Sequence, residues 1–407
     1  MSQRPLACMS MVAGLVAIIL GAAPIALAQP VLDAPGEFAA GWRSFRFDDG
    51  IFGQGMIDGR IYYPAVAAGR DQAADPSGGP YPVVAFQHGW LGRPSNYDDL
   101  CLHLASWGYI VASTGTETGL FPDIEQFARD TRSVLHWVLA ESDDPASWLA
   151  DMADDGDWSA IGHSMGGGTL SALIGVEPRV RTIIGLQAAD NAGGRLNMTN
   201  YNGNVFMIAG SADWIVPSEV VYAWTQLAAT NARRNVFWEV QGMGHNGCQD
   251  NPPNGEPMSG GEQARSHRRL LTGILEAEVR GDENRYLETL GEALDIPVRS
   301  QTWNGEPILW ADFSLTAPTT EITCGLAGDP NRAAVLAWSL VPDSIPTRFG
   351  ELGLSPDDLT IVYQQPLPVF GWTEVALPIE PGWSARTLYL QGFGGDRLSR
   401  VVALLIP

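Results

Sequence analysis

The chain has 407 residues, 45% of them hydrophobic and 17% charged, with 46 glycines and 28 prolines, which suits a folded protein of two domains rather than a disordered one. All 24 basic residues are arginine, so Schiff-base and pyridoxal-phosphate chemistry, phosphate loops of the GK[ST] type and kinases with a strand lysine are excluded. A net charge of −22 argues against unspecific binding to nucleic acid or to an anionic membrane surface, both of which need a basic footprint.

The first residues, Met1-Ser2-Gln3-Arg4, precede an apolar stretch from Leu6 to Leu20 and an Ala26-Leu27-Ala28 cleavage pattern, so residues 1–28 are expected to be a secretory signal. The apolar run is shorter than the ~20 residues a spanning helix needs, which weakens the alternative of a retained anchor. No later segment reads as transmembrane, and the expected location is secreted or periplasmic. Loss of Cys8 with the signal leaves Cys101, Cys248 and Cys324, enough for one disulfide and one thiol, with all three pairings open.

Glu37 to Pro64 carries short Phe/Ile/Tyr-rich segments and predicts an antiparallel leading edge of a sheet. From Tyr81 the pattern alternates. Strands are predicted at 82–86, 109–113, 158–161, 181–186, 205–209 and 235–240, with helices near 97–107, 124–141, 165–175, 218–230, 262–280 and 283–293. Continuous apolar strands between amphipathic helices predict an α/β fold with a mostly parallel sheet covered on both faces, spanning residues 29–295. After Pro297 the segments 306–310, 333–338, 360–363, 385–390 and 401–405 are short, β-like and separated by Pro and Gly. They predict a small all-β domain over 296–407, most simply a sandwich.

Gly162-His163-Ser164-Met165-Gly166 is a G-x-S-x-G motif directly after a strand and directly before a helix. A serine on that tight turn needs small neighbours, and its Oγ is lifted to the carboxyl edge of the sheet. A serine hydroxyl needs a histidine base, and the base needs a carboxylate, in the chain order Ser, acid, His. Of the histidines after the serine, His267 sits among Arg265, Arg268 and Arg269 and reads as a solvated helix position. His245, in the flexible Gly242-Met243-Gly244-His245 loop, is the expected base. Asp213, just past the strand 205–209, is the preferred acid, with Asp190 as the alternative. Oxyanion donors are expected from the backbone N–H groups of Met165 and Trp90, with His88 supporting the loop.

Five segments carry a family resemblance: Tyr81 to Trp90, Leu104 to Ala112, Gly162 to Gly168, Ser211 to Pro217 and Gly244-His245. They resemble the α/β-hydrolases related to bacterial cutinases and PET hydrolases, with dienelactone hydrolases and chlorophyllases as neighbours. The resemblance covers roughly residues 40–294 and implies the α/β-hydrolase fold, a Ser164-Asp213-His245 triad and oxyanion N–H groups at Trp90 and Met165. That family usually pairs an aromatic of the oxyanion loop with a Trp after the strand that follows the nucleophile helix. Here the first is Trp90, but the strand leads into Gln187-Ala188-Ala189-Asp190, and Trp214 is the other candidate aromatic wall for substrate. Some relatives carry a disulfide near the histidine loop, where this chain has Cys248. The expected partner position beside the acid reads Ala209-Gly210-Ser211, so Cys101 or Cys324 would have to serve.

No cofactor is expected, and no metal, since the acidic pairs Asp143-Asp144 and Asp154-Asp155 lack EF-hand spacing. Asn197-Met198-Thr199 matches a glycosylation sequon and reads as coincidence. Trp303, Trp310, Trp338, Trp372 and Trp383 read first as core residues, and second as a platform for glycan, polymer or cell surface. The expected function is a secreted serine hydrolase acting on carboxylic esters, polyesters included, with specificity set by residues 188–203 and 247–261. The alternatives are a lipase or phospholipid acyl hydrolase, and a non-catalytic envelope-binding protein.

Overall fold

The computed structural model describes residues 31–191, 195–228, 231–252, 256–290, 296–314 and 321–406. The expected signal at 1–28 lies outside the described residues, as do 192–194 and 253–255 of the two segments assigned to specificity.

Ten strands form the main sheet in the order β10-β9-β8-β7-β6-β4-β5-β2-β1-β3. Its leading edge is the antiparallel pair β1 (Ala39–Asp49) and β2 (Gly55–Ala65), flanked by the short β3 (Gly69–Arg70). Next come β4 (Val83–Gln87), β5 (Ile110–Thr114), β6 (Trp158–His163), β7 (Val180–Leu186), β8 (Asn204–Gly210) and β9 (Arg234–Val240). These six pair in parallel. Nearly every residue in them is buried, because helices cover both faces and leave no solvated side to select alternation.

The covering helices are α1 (Asp98–Ser106), α2 (Ile124–Asp143), α3 (Met165–Val176), α4 (Arg195–Met198), α5 (Ser218–Ala228), α6 (Gly260–Glu278) and α7 (Leu287–Leu290). Asp123 caps α2 by accepting the Gln126 N–H, and Ser259 with Glu262 forms a capping box that starts α6. Successive strand residues point to opposite faces. Val84 and Phe86 join the core under α1 and α6, while Val83 and Ala85 join the core under α2, α3 and α5.

The first strand beyond residue 296, β10 (Val298–Thr302), pairs antiparallel with β9 and closes the main sheet. Its alternating burial suits an edge strand, and Trp238 of β9 donates its indole N–H to Ser300 Oγ across the pair at 2.9 Å. The antiparallel sheets that follow use β11 (Ile308–Ser314), β12 (Glu321–Ala327), β13 (Ala333–Ser339), β14 (Pro342–Thr347), β15 (Gly350–Leu354), β16 (Thr360–Pro366), β17 (Trp372–Pro378), β18 (Thr387–Gly394), β19 (Arg397–Leu398) and β20 (Val402–Leu405). The sheet β11-β12-β17 and the sheet β16-β13-β18-β19, with β20 on β18, share one apolar cluster that includes Leu309, Ile322, Leu326, Leu336 and Leu390. β14 and β15 form a separate hairpin.

None of the five tryptophans singled out after residue 296 is exposed. Trp310 is fully buried, and Trp338 meets Trp383 edge to face with ring centres 4.7 Å apart. Cys101, Cys248 and Cys324 all carry free, buried thiols, and burial pushes that of Cys324 up to about 12. Among the described residues no helix is long and apolar enough to cross a membrane.

A buried ion cluster ties the β-rich segment to the main sheet. Arg234, fully buried at the start of β9, donates to Glu278, to Glu283 at 3.1 Å and to the Pro307 carbonyl at 3.3 Å. Arg400 donates to Glu278 at 3.1 Å and pairs with Glu283 at 3.0 Å. Burial alone would raise the Glu278 carboxyl, but the two guanidinium groups hold it below its usual range. Arg234→Ala leaves these carboxylates without their central cation and should cost about 3–5 kcal/mol in urea denaturation.

His103 of α1 sits with Nε2 3.0 Å from both the Leu32 carbonyl and Thr272 Oγ1, and burial, helped by Arg268, lowers its pKa to about 4. The unfolded chain takes up this proton near pH 6.5 while the native state does not, so stability present above pH 6.5 is lost on acidification toward pH 4. His103→Gln removes that term. The stability advantage of wild type over the variant should shrink by about 2 kcal/mol between pH 7 and pH 5, read from urea midpoints at each pH.

Candidate active site

Ser164 stands between β6 and α3 with φ 52° and ψ −115°, a conformation most side chains avoid. Its surroundings explain how it is held. A Cβ on Gly162 would lie 2.3 Å from the Gly166 carbonyl oxygen, and one on Gly166 would lie 2.2 Å from the Gln87 carbonyl oxygen at the end of β4. Only glycine lets these backbones touch. The Ser164 N–H donates to the Leu186 carbonyl at 2.9 Å, and the Ser164 carbonyl accepts from Gly168 at 3.1 Å and from Ala189 at 2.9 Å.

Asp213 and His245 follow the carboxyl ends of β8 and β9, and both are buried beside Ser164. His245 donates Nδ1–H to Asp213 Oδ2 at 2.7 Å, which leaves Nε2 to accept from Ser164 Oγ at 3.0 Å. The other Asp213 oxygen accepts the N–H groups of Ile215 at 2.9 Å and Val216 at 2.8 Å, which fixes the carboxylate plane. The alternative acid, Asp190, is half-exposed and bound to Arg195. The arrangement can move a proton from Ser164 Oγ to His245 while Asp213 steadies the resulting imidazolium.

Met165 begins α3, so its N–H lies at the positive end of a 12-residue helix. The loop carrying Trp90 passes close by: a Cβ on Gly89 would sit 3.4 Å from Ser164 Cβ. His88 is buried below that loop, its ring 2.8 Å from the Gly89 carbonyl and 2.9 Å from that of Thr116, a supporting place as expected. Trp90 is 56% exposed and Trp214 81% exposed, so both aromatic faces are open to a bound molecule. The Trp90 indole donates to the Leu120 carbonyl at 3.2 Å, and Leu91, Leu120, Phe121 and Ile215 add further exposed apolar surface. Gln187 is fully buried, with its amide toward Met243 and His267. Among the described residues no cluster of three or more His, Cys, Asp or Glu side chains could hold a metal ion.

One histidine differs from the sequence reading, and a second has none. His267 is fully buried, not solvated: its Nδ1 donates to the Gln263 carbonyl at 2.8 Å, and burial lowers its pKa to about 4. Gln263 in turn accepts the Gly244 N–H at 3.0 Å, so α6 grips the loop that carries His245. The periodic signal was present, since His267 heads an i, i+3, i+4, i+7 face with Leu270, Leu271 and Ile274. His163, inside the G-x-S-x-G motif, is also buried and lies beside His245 with ring centres 5.0 Å apart. Nothing local marks it.

Chlorophyllase-1 of Arabidopsis thaliana is 33% identical over 118 residues, 25% of this chain and 36% of its own length. The cutinase est1 of Thermobifida alba is 30% identical over 133 residues, 32% of this chain and 40% of its own. The chain thus spans two fifths or less of the length of these relatives. A family model described as PET hydrolase-like matches residues 33–251, which contain Ser164, Asp213 and His245. With more than half of its residues inside that match, the chain belongs to the PET hydrolase-like family.

Proposed function

We propose that this protein is a serine hydrolase of carboxylic esters that works through an acyl-enzyme on Ser164. The observation that carries the reading is the continuous Ser164-His245-Asp213 relay, with bonds of 3.0 and 2.7 Å, on a turn at φ 52°. Ser164 Oγ attacks the acyl carbonyl as its proton passes to His245 Nε2, and the N–H groups of Trp90 and Met165 receive the oxyanion. Collapse of the tetrahedral intermediate breaks the bond to the alcohol oxygen, which takes the proton from His245. A water deprotonated by His245 then attacks the acyl-enzyme and releases the acid, regenerating Ser164. Membership in the PET hydrolase-like family and the likeness to a cutinase favour esters over amides, and an alkoxide is the better leaving group.

The exposed rim of Trp90, Leu91, Leu120, Phe121, Trp214 and Ile215 favours esters with large apolar parts, polyesters among them. Trp90 and Trp214 act as substrate walls in this reading. Export directed by residues 1–28 places the enzyme in the periplasm or outside the cell, where a polymer too large to cross a membrane is accessible.

Hydrolysis of a p-nitrophenyl ester series, acetate to palmitate, tests the chemistry together with fluorophosphonate labelling. Ser164→Ala should abolish labelling and lower kcat by about 10⁶-fold, and Asp213→Asn should lower it by about 10⁴-fold. A folded wild type that neither labels nor turns over would refute the reading. Trp214→Ala should leave kcat/KM on the acetate ester nearly unchanged but lower it roughly 10-fold on long-chain esters and on polyester particles.

A further inference from the structure

The two loops that complete the site leave the sheet far apart. Gly89 and Trp90 follow β4 and His245 follows β9, and four inter-strand steps separate these strands, about 19 Å at the usual spacing. The sheet brings both loops to one edge, but no pairing between neighbouring strands sets one loop against the other.

A buried chain of hydrogen bonds does so. The Gly89 N–H donates to Tyr97 Oη at 3.0 Å, Tyr97 Oη lies 2.8 Å from His163 Nδ1, and His163 Nε2 lies 2.9 Å from the His245 carbonyl. Every direction in it is fixed. A carbonyl only accepts, so His163 Nε2 carries the hydrogen, Nδ1 is the acceptor, and Tyr97 must donate to it. Both rings are buried, Tyr97 against Phe86 with centres 4.7 Å apart. Burial lowers the His163 pKa to about 3 and raises that of Tyr97, so the imidazole stays neutral and the phenol keeps its proton at any working pH.

We infer that Tyr97 and His163 are positioning residues that set the Gly89-Trp90 oxyanion loop against the His245 base through this one chain. The inference rests on the proposed Ser164 chemistry. Tyr97 is buried below the site, and its hydroxyl meets the backbone of Gly89, the ring of His163 and, at 3.4 Å, the side-chain amide of Gln249. Cutting the chain at any point uncouples the two loops from each other while Gln263 still holds Gly244, and the loss falls on the transition state, where the oxyanion donors and base must act together.

The test compares wild type, Tyr97→Phe, His163→Gln and the double variant on p-nitrophenyl butyrate, with active sites counted by fluorophosphonate titration. Tyr97→Phe removes one oxygen, and His163→Gln keeps a donor near the His245 carbonyl while removing the acceptor for Tyr97. Each single variant should lose kcat per titrated serine by on the order of 10- to 100-fold with KM within about threefold, and the double should lose no more than the worse single. Fewer active sites with unchanged kcat per site would mean a merely structural role, and multiplying losses in the double would mean two independent contacts. Either result overturns the inference. If Tyr97→Phe fails to fold, His163→Gln is read by the same kcat and KM criterion. An active wild type with unaffected variants overturns the positioning role alone, whereas an inactive, unlabelled wild type brings down the ester-hydrolase reading and the inference with it.

Discussion

The backbone at Ser164 is the constraint on which the rest of the site depends. A serine at φ 52° costs on the order of 1–3 kcal/mol and persists only where its surroundings leave no alternative. Here the end of β4, the end of β6 and the start of α3 are in backbone contact, and hydrogen bonds from the Ser164 N–H to Leu186 and from Ala189 to the Ser164 carbonyl hold the turn from the β7 side. A side chain at 162 or 166 would push these segments apart and let the turn relax. The parallel sheet gives the turn its direction, because the carboxyl ends of β4, β6, β8 and β9 deliver Trp90, Ser164, Asp213 and His245 to one edge.

The loops at that edge are held from below rather than by each other. Gln263 of α6 holds Gly244, His163 holds the carbonyl of His245, and the carboxylate of Asp213 is fixed by two N–H groups of its own turn. These partners are buried polar groups that would be costly to leave unpaired, which makes the arrangement stiff where the proposed chemistry needs it. The rim is different: Trp90, Phe121 and Trp214 are exposed. A firmly bonded floor with an exposed apolar border agrees with the proposed hydrolysis of esters that have large apolar parts.

The β-rich carboxyl-terminal segment joins this body through charge as well as through apolar contact. Arg234 and Arg400 share Glu278 and Glu283, so the start of β9, the end of α6 and the last strands meet at one buried cluster. Trp310 and Trp383 of that segment are buried, Trp338 packs edge to face on Trp383, and β10 is an added strand of the main sheet. In the sequence the composition changes near Pro297, yet the sheet continues through Thr302. Strand pairing is decided by which edge is open, here β9, and composition does not report that.

Local chemistry made much of the fold legible. The run at 82–86 becomes β4 shifted by one residue, those at 158–161 and 205–209 become β6 and β8 with small extensions, and the helices at 124–141 and 165–175 become α2 and α3, because continuous apolar strands and amphipathic helices are short-range patterns. Ser164 was legible because its motif is contiguous, and Asp213 and His245 because chain order and strand ends narrow the choice. The buried places of His163 and Tyr97 were not legible in the same way, since they are fixed by partners 8 to 82 residues away, whereas that of His267 was written in its helical periodicity. The free thiols of Cys101, Cys248 and Cys324 were likewise undecided, because pairing depends on where three separate elements come to rest. Sequence by itself determined the elements, the turn that holds Ser164 and the order of the site residues, all set by contiguous side chains acting on their own backbone. Only the tertiary structure decided which buried polar groups meet, because a hydrogen bond between distant residues exists only once packing has brought donor and acceptor within about 3 Å.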